Sequence, residues 1–205
     1  MSVEEANGGM NGKVVLITGG TSGIGKAAAV ELAGMGAEVV ITGRNEERGR
    51  EAVEEIKGRS GSGAASLLLA DLSAQAGVRR LAEDFREGHD RLDVLVNNAG
   101  VVNRRRSETV DGIESTLATN HLAPFLLTNL LLDLLKESAP SRIVTTASEA
   151  ERWGRLDLDD LQSRRRYGAF PVYGMTKLAN IMFTIDLGRS WRGRASRRTA
   201  STRAP

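Results

Sequence analysis

Tyr173 and Lys177 stand four residues apart in Tyr173-Gly174-Met175-Thr176-Lys177, a spacing that puts a phenol and an ammonium on one helical face. A phenol, with a reference pKa of about 10, is a poor base at neutral pH, but a neighbouring cation favours its phenolate. Such a pair can exchange a proton with a carbonyl or alcohol oxygen. Tyrosine and lysine at this spacing also occur on ordinary helix faces, so the pair takes its meaning from what accompanies it. Ser148 adds a hydroxyl just past the last short apolar run, Arg142 to Thr146.

A hydride carrier would complete that chemistry, and the N-terminal part offers a place for one. The apolar run Val14 to Ile17 leads into Thr18-Gly19-Gly20-Thr21-Ser22-Gly23-Ile24-Gly25, and a helix pattern follows directly. Glycines at 19, 23 and 25 allow a tight turn, close backbone approach to a pyrophosphate, and close packing of helix on strand. The N–H groups of Thr21 to Ile24 and the positive helix end then face the phosphates. After the second strand an acid usually holds the adenosine ribose, whereas an arginine suits a 2′-phosphate. Here the segment reads Ile41-Thr42-Gly43-Arg44-Asn45. Arg44 therefore points to NADP(H) over NAD(H), with NAD(H) still open.

These residues need a scaffold that brings strand ends together. Short apolar runs near Val14–Thr18, Glu38–Thr42, Ser66–Leu69, Leu92–Asn97 and Arg142–Thr146 predict strands. Helices are predicted over Ile24–Met35, Glu46–Lys57, Ala76–Arg86 and Gly112–Glu137, with another starting near Val172. The strands are continuous in Val, Ile and Leu, as in a parallel sheet covered on both faces. Alternating strands and helices with right-handed crossovers give an α/β, Rossmann-type doubly wound sheet. The apolar stretch Phe125 to Lys136 is too short to span a bilayer and reads as core or an oligomer face.

With these motifs in place, the chain resembles a short-chain dehydrogenase/reductase. The turn Thr18 to Gly25 resembles the family's glycine motif, Asp71-Leu72 its adenine-side Asp, and Asn97-Asn98-Ala99-Gly100 its Asn-Asn-Ala-Gly. Asn120, Ser148, Tyr173 and Lys177 fall in the order of its catalytic tetrad. The resemblance covers about residues 11 to 187. It implies that Ser148 binds the substrate oxygen, Tyr173 is the acid/base, and Lys177 holds the nicotinamide ribose and lowers the tyrosine pKa. Asn120 would support a relay water, although from the residue alone it could equally be a polar group kinking a helix. Ser138 to Val144, Gly154-Arg155-Leu156 and Lys177-Leu178-Ala179-Asn180 resemble the retinol-dehydrogenase-like branch, which implies a bulky apolar alcohol, aldehyde or ketone. The chain departs from the family at Ala147 and Glu151, and in the long gap between Ser148 and Tyr173. Arg104 to Arg106 and Arg164 to Arg166 fall in predicted loops and read as solvated surface. The alternative to an enzyme is a catalytically incompetent nucleotide-binding remnant.

Composition sets the remaining bounds. The 205 residues contain no cysteine, which excludes disulfides and thiolate metal sites and suggests a reducing, cytoplasmic medium. No metal site and no membrane partner are expected, and a homo-oligomer is possible. The formal charge of +2 is misleading, because six arginines and no acid lie in Gly188–Pro205 while residues 1–187 carry a net −4. Nucleic acid is therefore not an expected partner of the domain. We divide the chain into a polar segment 1–11, a dinucleotide-binding domain 12–187 and a basic tail 188–205. The tail shows neither helical nor strand period. In a frame displaced by two bases, synonymous codons for its residues can spell ELAGTGVTANSLHPG, which resembles the family's sixth strand and the turn after it. The expectation is a frameshifted, apparently truncated C-terminus, and the alternative is a genuine tail for an anionic partner.

Overall fold

The computed structural model describes residues 9–200, and side chains over 9–189. Five strands, β1 (Val14–Ile17), β2 (Glu38–Gly43), β3 (Ala65–Leu69), β4 (Val94–Asn97) and β5 (Arg142–Thr145), form one parallel sheet in the order β3-β2-β1-β4-β5. Helices α1 (Gly23–Gly34), α2 (Glu46–Ser60) and α3 (Gln75–Gly88) make the first crossovers. A short α4 (Ser115–Leu117), a π-helical turn (Ala118–Leu122) and α5 (Ala123–Glu137) connect β4 to β5. A 3₁₀ turn (Glu149–Trp153) and the long α6 (Ala169–Ala200) follow. The fold is the doubly wound one expected, and its strand order reverses between β1 and β4.

Alternation inside the apolar strands divides the core into two layers. Val15, Ile17, Val39 and Ile41 pack under α1 and α2 with Ala29, Val53 and Ile56. Val14, Leu16, Val40 and Leu95 face the other way, onto Val78, Leu81 and Phe85 of α3 and Leu127, Leu131 and Leu135 of α5. Both faces are thus dry over β1 and β2, which explains why polar residues are missing from those runs. At the edge, Val144 of β5 is 48% exposed.

Three boundaries differ from the sequence expectation. The helix expected from Gly112 begins at Ser115, because Gly112 takes a left-handed φ of 71° and Glu114 caps the next turn. Strand β4 begins at Val94, since the Leu92 N–H is held by Ser138 Oγ at 2.9 Å. Helix α6 begins at Ala169 and runs to Ala200, so the backbone does not break at Leu187 where the composition does. Arginine and alanine favour helix without any apolar period, so the tail segment up to Ala200 is helical although its sequence shows no periodicity. Residues 201–205 of the tail and 1–8 of the polar segment lie outside the described residues, while Met10 packs against the α1 and α2 layer. Among the described residues no helix is long and apolar enough to cross a membrane.

Asp93 fixes the start of β4 against β1. Its buried carboxylate accepts from the Val14 N–H at 3.0 Å, from Lys13 Nζ at 2.9 Å and from Arg91 Nη2 at 2.6 Å. Burial works against ionisation, but Arg91, the Val14 N–H and Lys13 outweigh it and hold the carboxyl at about 2. A depressed carboxylate stabilises the fold above its unfolded pKa and loses that effect as pH falls through its folded value. Because Lys13 and Arg91 are partly solvated, Asp93→Asn should cost about 1–2 kcal/mol at pH 7. Urea unfolding should show the two proteins converging as pH falls from about 4 toward 2; a pH-independent difference would exclude this account.

Candidate active site

The turn after β1 is shaped by glycines in two ways. Gly19 and Gly23 take left-handed φ values of 68° and 55°, where L side chains are strained. Gly25 is needed for space, since a Cβ there would lie 2.4 Å from Gly19 O and 2.5 Å from Asn98 Nδ2. Ser22 stands at the N-cap of α1 with extended backbone, yet its side chain caps no N–H, and the first turn holds no acid. Helix α2 contrasts with this: Asn45 accepts from the Arg48 N–H at 2.8 Å, and Glu46 and Glu47 fill its first turn. The N-terminus of α1 therefore offers the cleft N–H groups with no side-chain cap and an uncompensated positive end, which suits a pyrophosphate.

The cleft has a volume of about 590 Å³ and lies over the C-terminal ends of the strands, at the point where the strand order reverses. The structure brings Gly19, Thr21, Ser22, Gly23 and Ile24 to one wall, and Arg44, Asp71 and Leu72 to the end beyond β2 and β3. Burial disfavours the Asp71 carboxylate, but the Ser73 hydroxyl and N–H, at 2.7 and 2.9 Å, and the Arg44 charge hold it below its ordinary value. Asn98, Ala99 and Gly100 form the floor, and Tyr173 and Lys177 close the far end. A dinucleotide fits this arrangement, with phosphates at α1, an adenosine end at Arg44 and Asp71, and a nicotinamide end at Lys177.

Tyr173 and Lys177 share one face of α6 as their spacing required. Lys177 Nζ lies 5.5 Å from the Tyr173 ring centroid and donates to Thr146 O at 2.8 Å. Only 3% of Lys177 is exposed, and this burial pushes its ammonium below the usual lysine value. Thr146 Oγ1 is 3.4 Å from Asn98 Oδ1, and Asn98 Nδ2 donates to Thr18 O and Gly19 O at 3.1 and 3.2 Å. A hydrogen-bonded path thus joins the phosphate turn to the tyrosine and lysine end.

Asn120 and Ser148 do not line the cleft. Asn120 sits inside the π-helical turn, where Nδ2 donates to Val101 O at 2.9 Å and Oδ1 accepts from the Val101 N–H at 2.8 Å. Its place in the π turn matches the reading of a polar residue that bends a helix. Ser148 caps the 3₁₀ turn, its Oγ accepting from the Ala150 N–H at 3.3 Å. Leu156, Leu161 and Tyr167 pack the following loop onto Val172 and Met175, so the long gap before Tyr173 is an ordered wall.

Two participants were missed by sequence reasoning. Thr146 lines the cleft and holds Lys177 through its carbonyl, a role with no side-chain signature. Asn180 donates to Asn120 O at 2.8 Å, and its Oδ1 is 2.9 Å from His121 Nδ1. The available signal was its position one turn after Lys177, on the buried side of the helix.

A family profile described as short chain dehydrogenase matches residues 13–195. The chain belongs to that family. Retinol dehydrogenase 14 of Homo sapiens is 42% identical over 197 residues, covering 90% of this chain and 59% of that protein. A Streptomyces protein provisionally named daunorubicin C-13 ketoreductase DnrU is 45% identical over 186 residues, or 90% of this chain and 63% of its own length. The chain thus spans about three fifths of these curated relatives. The solved Pseudomonas aeruginosa RhlG/NADP active-site complex superposes with a TM-score of 0.72 at 33% identity, over 89% of this chain and 68% of that one.

Thr18 ties this short chain dehydrogenase site together, its Oγ1 accepting from the Asn98 and Ala99 N–H groups at 3.0 and 3.2 Å. Thr18→Val keeps the shape but leaves both donors without that acceptor, and should lower stability by about 1–3 kcal/mol. Urea unfolding measures the change, and an unaltered midpoint would show that the hydroxyl does not hold the site.

Proposed function

We propose that this chain binds NADP(H) and interconverts a hydroxyl and a carbonyl on a bulky apolar alcohol, aldehyde or ketone. The observation that carries the reading is the placement of Tyr173 and Lys177 in the same cleft as the uncapped N-terminus of α1. When bound, the nicotinamide supplies or accepts the hydride. Tyr173 gives its phenolic proton to the carbonyl oxygen in reduction and takes it back in oxidation. Lys177, whose Nζ lies 5.5 Å from the Tyr173 ring centroid, supplies a cation beside the phenol, and its burial strengthens that attraction. Ser148 stands outside the cleft lining, but its Oγ, which accepts from the Ala150 N–H, keeps its own O–H to donate to a substrate oxygen on the β5 side. Asn120 acts by positioning: it clamps Val101 on the cleft floor, and Thr176 and Asn180 of α6 hold Asn120 in turn.

NADP(H) is favoured over NAD(H) by Arg44, which is exposed in the adenosine end and has no acid directly before it at the end of β2. The NADP-bound neighbour supports the same direction.

NADPH turnover with a panel of aldehydes and ketones tests the reaction. Tyr173→Phe should lower kcat/KM at least about a hundredfold, the usual contribution of a positioned acid/base; activity surviving that change would falsify the mechanism. Arg44→Ala should raise KM for NADPH by about 10–100-fold, the worth of a hydrogen bond to a charged group, while KM for NADH stays within about threefold. Equal losses with both cofactors would remove the phosphate role of Arg44.

A further inference from the structure

Two arginine triplets far apart in sequence, Arg104 to Arg106 and Arg164 to Arg166, are brought to one place. Tyr167 Oη donates to Asn103 O at 2.8 Å, and Arg106 Nε donates to Gln162 O at 3.0 Å. Asn103 Nδ2 reaches the hydroxyls of Ser115 and Thr116 at 3.2 and 3.3 Å, so the first loop is fixed on both sides. Glu108 lies between the triplets: Arg106 donates to it at 2.8 Å, and it also senses the charge of Arg164.

The acids of this region satisfy only part of the charge. Arg106 holds Glu108, and Arg165 reaches Asp157 and Asp160 at 3.1 and 3.5 Å. No carboxylate among the described residues forms an ion pair with Arg104, Arg105, Arg164 or Arg166. Those four are exposed, and their guanidinium groups form no hydrogen bond or ion pair among the described residues. Fixing such cations beside one another costs repulsion that an anion between them would relieve.

The position of the cluster says which anion. Gly100, Val101 and Val102 line the cleft, and Arg104 follows two residues later, so its Cα lies within about 7 Å of a cleft-lining Cα. The second triplet precedes Tyr173 on the same side, in the loop packed against Val172 and Met175. Cofactor phosphates are accommodated at α1 and Arg44, away from both triplets along the chain.

We infer that this arginine rim receives a carboxylate on the substrate, remote from its reacting carbonyl, so that the cleft prefers apolar oxo acids or hydroxy acids over their neutral counterparts. The inference deepens the reaction proposed above and rests on it. Arginine suits the role because its planar fork pairs with carboxylate and stays charged in water.

NADPH-dependent reduction of 12-oxododecanoic acid and of its methyl ester by the full chain tests this. The acid should be preferred in kcat/KM by about tenfold or more at low ionic strength, the effect of one charge-assisted hydrogen bond, and less so in high salt. In Arg104→Glu/Arg105→Glu and in Arg164→Glu/Arg166→Glu the acid-to-ester ratio should fall to about one or below. Equal turnover of acid and ester by the parent chain, or a preference that survives both double variants, overturns the rim. If neither compound is reduced, the reaction proposed above fails, and the rim is decided by calorimetric titration. Dodecanedioate should then bind at low salt where dodecanediol does not, and binding should be lost in the variants with circular dichroism unchanged. Absence of diacid binding overturns the rim in that case too.

Discussion

Asn98 carries the mechanical connection on which the site depends. Its amide nitrogen serves two carbonyls of the turn after β1, its Oδ1 faces the Thr146 hydroxyl, and its backbone N–H is held by Thr18. These partners sit at the ends of β1 and β5, and Asn98, at the end of β4, meets both because β4 lies between those two strands. A carboxylate could not donate to the two carbonyls, and an apolar residue would leave them unpaired in a half-buried place. The glycine turn after β1 and the Tyr173 and Lys177 end of the cleft are therefore set relative to each other.

The fold was legible in the sequence to the extent that burial is written as hydrophobicity. Strands β1 and β2 are dry on both faces, so their runs are unbroken and their positions were placed to within a residue or two. Ends decided by single polar contacts were not legible. The start of β4 depends on Ser138 reaching across from the end of α5, and the start of α4 on the Glu114 carboxylate capping Thr116 and Leu117. Neither contact leaves a local pattern, because the partners meet only in three dimensions. The helical course of α6 beyond Leu187 was missed for another reason: propensity can carry a helix where no apolar period marks it.

The site divides along the same line. Residues that act through backbone geometry or net charge, such as Gly19, Gly23, Gly25 and Arg44, could be read from type and spacing. Asn120 was found by its motif, but its work is visible only in the structure. Its side chain spans both the N–H and the C=O of Val101, in a turn whose π geometry widens the helix by one residue. Asn180 satisfies the Asn120 carbonyl in that turn, and a freed carbonyl in a π turn needs such a donor when buried. Thr146 could not be found at all from its type, since a main-chain carbonyl is common to every residue.

Charge is used differently at the two ends of the cleft, and solvation explains the choice of residue. Arg44 is exposed, and for the 2′-phosphate proposed there a lysine would be as charged but would lack the planar fork. Lys177 is buried, and burial pushes its ammonium below the usual lysine value. A compact ammonium with three donors can keep Thr146 O while leaving others for a ribose and for the region of the Tyr173 oxygen.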